Sequence, residues 1–190
     1  MTPLVRVGTL DSFAITQAMD CGAQGGIVPD TETAEDARSA VAAAKYPPLG
    51  RRSIMPCLPQ LMFRPAPPVD AMKAVNAAAM VISMIEGPRA LDAVEEIAAV
   101  DGLDMLHVGA NDLSNTLGLP GQLDQPDVQA GFQRVTDACK VNNIYFGVGG
   151  MGHHPELAKE MIAMGARHAT AGADVTFMTK APIANALKFD

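Results

Sequence analysis

The chain has no tryptophan and only two tyrosines, so it offers few aromatic faces on which nucleobases could stack. Lysine and arginine (14) are outnumbered by aspartate and glutamate (21), giving a net charge of −7. No basic face is clustered along it, and nucleic acid is not an expected partner. The three cysteines, Cys21, Cys57 and Cys139, are far apart and odd in number. Without a CxxC or Cys/His cluster, neither a disulfide framework nor a zinc site is expected, and a reducing cytoplasm is the simplest home. No apolar run approaches the ~18 residues of a membrane span. No basic segment followed by an apolar stretch reads as a secretory signal. No G-x-G-x-x-G follows the first strand, which weakens a dinucleotide-binding reading. No self-similarity of solenoid period is present.

What is present is a globular composition, 48% hydrophobic and 18% charged over 190 residues, enough for a single domain with a sizeable core spanning 1–190. Short apolar runs predict strands at Thr2–Val7, Gly25–Pro29, Met80–Ile85, Leu103–Val108, Ile144–Val148 and Arg167–Ala171. Helical patterns alternate with them: Phe13–Asp20 after an N-cap at Ser12, a run capped by Thr33, Val69–Ala79, Pro88–Val100, Asp127–Asn142, Pro155–Met164 and Val175–Leu187. Tyr46–Pro68 breaks the rhythm with a long proline-rich stretch carrying Arg51-Arg52, read as a functional loop or an interface. Strands alternating with helices imply a parallel sheet. The pattern alone allows a doubly wound open sheet or part of a (β/α)₈ barrel.

The segment Met80–Gly118 organises the rest. Its first strand delivers Glu86 at its end. Its second opens into Gly109-Ala110-Asn111-Asp112-Leu113-Ser114. If consecutive strands are parallel neighbours, Glu86 and Asp112 lie side by side at one end of the sheet. Two carboxylates with room for water describe a Mg²⁺ or Mn²⁺ type of site. The plain alternative is two unrelated acids, one favoured by a helix dipole and one capping a turn. Arg6 interrupts the first apolar run and needs an anion or a carboxylate partner.

Several motifs in register resemble one family. VPDTETAEDARSAVAAAKYPPLGRR is similar to the VP-x-x-x-x-A-E-E-A-R…YPP-x-G-x-R segment of the HpcH/HpaI aldolases, metal-dependent class II enzymes that act through pyruvate enolate. Ile85-Glu86 resembles the strand-end Gln-Ile-Glu metal motif, and Gly109–Ser114 the Gly-Pro-Ala-Asp-Leu-Ser motif. The resemblance runs from Thr2 to about Leu187. It implies an incomplete (β/α)₈ TIM barrel of the phosphoenolpyruvate/pyruvate type, with six of eight units, the third to eighth strands, and the first two absent. It implies Glu86 and Asp112 as ligands of Mg²⁺ or Mn²⁺, with Co²⁺ also suitable. It implies Arg6 as the catalytic clamp on the substrate carboxylate, steadied by main-chain N–H groups of Asn111 and Asp112. Arg52 matches an arginine of structural role, although Arg51-Arg52 could equally be a solvated pair.

The departures are as informative. Met84 stands where the family has Gln, and Ala110-Asn111 replaces Pro-Ala. The Gly-rich stretch after YPP becomes Arg51-Arg52-Ser53-Ile54-Met55-Pro56. The family's base histidine, oriented by an aspartate, has no counterpart. His153 and His154 are candidates to replace it, although exposed imidazoles before a helix are the plainer reading. His107 reads as a satisfied core histidine and His168 as structural.

The expected activity is retro-aldol cleavage of a 4-hydroxy-2-oxoacid to pyruvate and an aldehyde through a metal-bound pyruvate enolate. Oxaloacetate decarboxylation is a close variant, since it needs no base to form the enolate. The competing expectation is a truncated, non-catalytic relative that binds metal and 2-oxoacid or serves as a subunit. Open sheet edges predict a homo-oligomer in either case.

Overall fold

The computed structural model of the protein describes residues 2–55 and 57–189. Six strands, β1 (Leu4–Arg6), β2 (Gly25–Val28), β3 (Met80–Ile85), β4 (Met105–Gly109), β5 (Tyr145–Gly149) and β6 (Ala166–Ala169), form one sheet in chain order. Every neighbouring pair is parallel. A doubly wound sheet reverses its strand order at a switch point; here there is no reversal, so that alternative falls. Residues of β1 and of the segment just after β6 line one cavity, so the sheet curls towards closure as a barrel wall does.

The period of two along each strand separates two faces. Val7, Val28, Val81, Ile85, Leu106, Val108, Phe146 and Val148 point outward into the main apolar core. Helices α1 (Ser12–Asp20), α2 (Ala34–Ala44), α3 (Pro68–Ala78), α4 (Pro88–Asp92), α5 (Val94–Ala98), α6 (Ala110–Thr116), α7 (Pro126–Asn142), α8 (Pro155–Met164) and α9 (Asp174–Ala186) complete the alternation. Ile15, Val41, Ile97, Phe132 and Met161 are the helix side of that core. The concave face carries the alternate set, including Arg6, Ile27, Met84, His107, Gly147 and His168, cross-paired in register. The helix α9 buries none of its residues.

Several boundaries differ from the sequence reading for local reasons. The cap of α1 is Asp11, not Ser12: its carboxylate accepts from the N–H groups of Phe13 and Ala14 at 3.2 and 3.3 Å, a geometry a carboxylate satisfies from one residue earlier. Thr33 caps α2 as expected, within a capping box closed by Asp36. The predicted helix Pro88–Val100 is two short helices that break at Ala93. The strand β4 starts at Met105 rather than Leu103, because Asp104 is used elsewhere. Its carboxylate accepts from Val81 N–H at 2.7 Å and pairs with buried Lys45 at 3.0 Å. Lys45 also donates to the carbonyls of Asn76 and Ala79, fastening the end of α2 to the start of β3.

The described part of Tyr46–Pro68, which leaves out Pro56, is more ordered than a loop. A cis bond joins Pro47 and Pro48, a 3-10 turn spans Pro59–Leu61, and Tyr46, Leu58 and Val75 pack into a second small core. Arg52 is buried, pairs with Asp20 at 2.6 Å and stacks 4.6 Å from the Tyr46 ring. The solvated-pair alternative therefore fails for Arg52; only Arg51 is exposed.

Candidate functional site

Parallel strands deliver their C-terminal ends to one rim, and the loops that leave that rim hold the chemistry-bearing residues. Arg6 ends β1, Glu86 follows β3, Asn111 and Asp112 follow β4 in the first turn of α6, and Gly150 and Thr170 follow β5 and β6. A cavity of about 250 Å³ opens there, lined among others by Arg6, His107, Asn111 and Asp112. A larger hollow of about 430 Å³, lined by Asp104, Tyr145 and Arg167, lies at the opposite rim. In barrels that rim serves stability rather than chemistry.

Glu86 is held by three contacts. Its Oε2 accepts from the Asp30 N–H at 3.2 Å, and its main-chain carbonyl accepts from Thr116 Oγ1 at 3.0 Å. Its side chain lies across Gly109, where a Cβ would sit 2.9 Å from both Cγ and Oε1. Glycine at 109 is thus a condition for this carboxylate's position. Burial pushes the Glu86 carboxyl up from its ordinary value. The Asp30 N–H opposes that rise, Asp112 and Asp30 add to it, and Arg6 acts against it. A half-buried carboxylate with a second carboxylate beside it calls for a cation.

Among the described residues, no group of three or more His, Cys, Asp or Glu comes together. The protein would therefore offer two carboxylates, an all-oxygen set that leaves most positions to water and ligand. That fits a hard divalent ion of the Mg²⁺ or Mn²⁺ kind. Asn111, Asp112 and Arg6 are exposed at the rim.

The histidines are arranged differently from expectation. His153 ends a 3-10 turn after Gly150 and is exposed; His154 is partly buried; neither lines the cavity. His107, expected to be a core residue, is buried but lies on the concave face and lines the cavity. Its ring rests over two glycines. A Cβ on Gly147 would meet Nδ1 at 2.8 Å, and one on Gly149 would meet Nε2 at 2.8 Å. Its Nδ1 lies 3.3 Å from His168 Nδ1, with ring centroids 5.0 Å apart at 60°. Burial, and secondarily His168, lowers the His107 pKa to about 4; burial lowers that of His168. The signal available in the sequence was the period of two: His107 alternates with Gly109, which lies against Glu86, and so shares its face.

The model of the HpcH/HpaI aldolase/citrate lyase family matches residues 1–181. A 4-hydroxy-4-methyl-2-oxoglutarate aldolase of Chaetomium globosum is 39% identical over 159 residues, which are 83% of this chain and 59% of that protein. A 2-dehydro-3,6-dideoxy-6-sulfogluconate aldolase of Pseudomonas putida is 35% identical over 176 residues, 93% of this chain and 68% of that one. Among solved structures, an HpcH/HpaI aldolase/citrate lyase family protein from Burkholderia cenocepacia superposes with a TM-score of 0.85 at 31% identity. The match covers 99% of this chain and 73% of that chain.

Proposed function

Since the chain belongs to the HpcH/HpaI aldolase/citrate lyase family, we propose that it is a metal-dependent carbon–carbon lyase acting on a 4-hydroxy-2-oxoacid. The products are pyruvate, through its enolate, and an aldehyde. In this reading the six strands are the third to the eighth of a (β/α)₈ barrel, and the working protein is a cytoplasmic homo-oligomer. The observation that carries the reading is the meeting of Arg6, Glu86 and Asp112 at one rim of the sheet, delivered by three different strands.

The roles follow from charge. The Arg6 guanidinium presents a planar fork suited to a carboxylate and would hold the 1-carboxylate of the 2-oxoacid. Main-chain N–H groups of Asn111 and Asp112, in the first turn of α6 and so without intrahelical partners, would orient the same group. Glu86 and Asp112 would hold a divalent cation, which when bound supplies positive charge beside the 2-oxo group as negative charge develops there. The Asp30 N–H and the absence of a Cβ at Gly109 fix where the Glu86 carboxylate lies, which supports that role. Oxaloacetate decarboxylation would use the same groups.

The test is turnover of oxaloacetate by the purified protein with Mg²⁺ or Mn²⁺, against excess chelator. Metal-dependent turnover that disappears in Glu86→Gln is the expected result; turnover indifferent to chelator or to that substitution would sink the assignment. A second reading, a non-catalytic subunit that binds metal and 2-oxoacid, is favoured by a helix α9 that buries none of its residues and by outer edges of β1 and β6 that pair with no described strand. A folded, metal-loaded protein without turnover would select it.

A further inference from the structure

The cavity holds a pair of side chains to which the roles above assign nothing. His107 is buried on the concave face of β4, at the floor of the cavity that Arg6 and Asp112 line. Its ring is oriented along β5, with Nδ1 over Gly147 and Nε2 over Gly149, the residue nearer the functional rim. At Nδ1 it meets His168 Nδ1 at 3.3 Å, and His168 is only partly buried. Two facing lone pairs would repel, so one of these nitrogens carries a proton and the other accepts it. The geometry is a line from the cavity through one imidazole to a second that reaches towards solvent.

We propose that His107 is the proton acceptor of this cavity and that His168 relays its proton, so that the pair moves protons for the lyase reaction. This rests on the reading of the cavity as a 2-oxoacid site. In the cleavage direction, Nε2 of His107 takes the proton of the substrate 4-hydroxyl. The O–H electron pair becomes the aldehyde carbonyl, and the C3–C4 pair becomes the enolate. As Nε2 gains a proton, Nδ1–H of His107 passes to Nδ1 of His168, and Nε2–H of His168 passes to water. The relay then runs back, taking one proton from water and delivering one from His107 to C3, which completes pyruvate and restores both rings. No proton is left over.

The relay also suits the burial. A lone base at this depth would have to carry an imidazolium charge, which its surroundings disfavour; handing the second proton on keeps His107 neutral before and after each transfer. The two glycines matter for the same reason, since only a residue without Cβ at 147 and 149 leaves the ring in this place. His168 acts through His107 and is a positioning and relaying residue.

The test is uptake of deuterium at C3 of pyruvate in D₂O with Mn²⁺, followed by NMR. The wild type is expected to exchange. His107→Phe, which keeps the ring volume, is expected to lose the exchange by about 100-fold or more, in the range by which a general acid–base group accelerates a reaction. His168→Phe should retain part of the rate with a displaced pH profile, an effect that a packing role would not produce. Exchange in folded His107→Phe within about threefold of wild type would overturn the proposal and leave the lyase reading standing. A wild type that neither exchanges nor turns over oxaloacetate would remove both. Should His107→Phe not fold, the native protein still decides. Saturating pyruvate is expected to move the ¹⁵N resonance of His107 Nε2, and an unmoved resonance overturns the relay.

Discussion

At Glu86, burial and the neighbouring carboxylates of Asp112 and Asp30 all oppose ionisation. A group whose folded pKa lies above its unfolded value weakens the fold once the pH is high enough to ionise it in the unfolded chain. At neutral pH, therefore, ionised Glu86 weakens the folded state, and a cation at the rim would relieve it. Glu86→Gln is expected to raise the thermal midpoint in chelator and to abolish the rise that Mn²⁺ gives the wild type, as read by calorimetry. The sign for His107 is the reverse at the acid end. Its folded pKa of about 4 lies below the ordinary 6.5, so the unfolded chain binds the proton first as pH falls. Stability should decline between pH 6.5 and about 4 by about 3 kcal/mol, with His168 adding in the same direction. Urea midpoints across that window check it, and His107→Phe should flatten the slope. The placement of Arg6, Glu86 and Asp112 on one rim followed from strand order, since Arg6 ends β1, Glu86 follows β3 and Asp112 lies in the first turn after β4. For His107 the period of two groups it with Gly109, but an apolar strand buried on both faces hides which of its two faces meets the cavity.

Among the elements, β5 is shaped by what leans on it. Gly147 and Gly149 receive the His107 ring, with Met105 Sδ also 2.9 Å from the Cβ position of Gly147. Gly147→Ala is expected to cost about 1–3 kcal/mol through overpacking. A double-mutant cycle with His107→Ala should recover the part of that loss that comes from the ring, the contact with Met105 Sδ remaining. The junction of α2, β3 and β4 depends on Lys45. Lys45→Met leaves Asp104 and two carbonyls without their cation and should cost about 3 kcal/mol by denaturant titration, as loss of one partner of a buried pair does. Strand and helix order was readable from the alternation of apolar runs, and Met80–Ile85 and Pro155–Met164 match residue for residue. The cap at Asp11, the break at Ala93 and the late start of β4 were not. The cap at Asp11 is a choice between two adjacent residues that both suit an N-cap, and the late start of β4 turns on Asp104 reaching Val81 N–H and Lys45, neighbours distant in sequence.

For the whole molecule, the relation of the two sheet edges decides the next expectation. The outer edges of β1 and β6 pair with no described strand. The helix α9 leaves Val175, Phe177, Met178 and Ile183 each more than half exposed. Unpaired edges and apolar faces of this size favour association, and sedimentation velocity is expected to give an oligomer; a folded monomer at micromolar concentration would count against the homo-oligomeric reading. At high pH a different group limits the fold. Burial pushes the Cys139 thiol up to about 11 from 9, so stability should fall once the pH passes 9, where the unfolded thiol ionises and the folded one does not.

The order of the sheet bears also on how the protein is made. Each strand pairs only with its neighbours in sequence, so no pairing has to wait for a distant segment to be synthesised. A chain emerging from the ribosome can add one strand and its helix at a time to a sheet already formed, although each parallel pairing must first close a whole crossover, as from Val28 to its partner Ser83, which makes each addition slow. Every stage of that growth presents a fresh strand edge, and the nascent chain is at its most adhesive while it is still being translated.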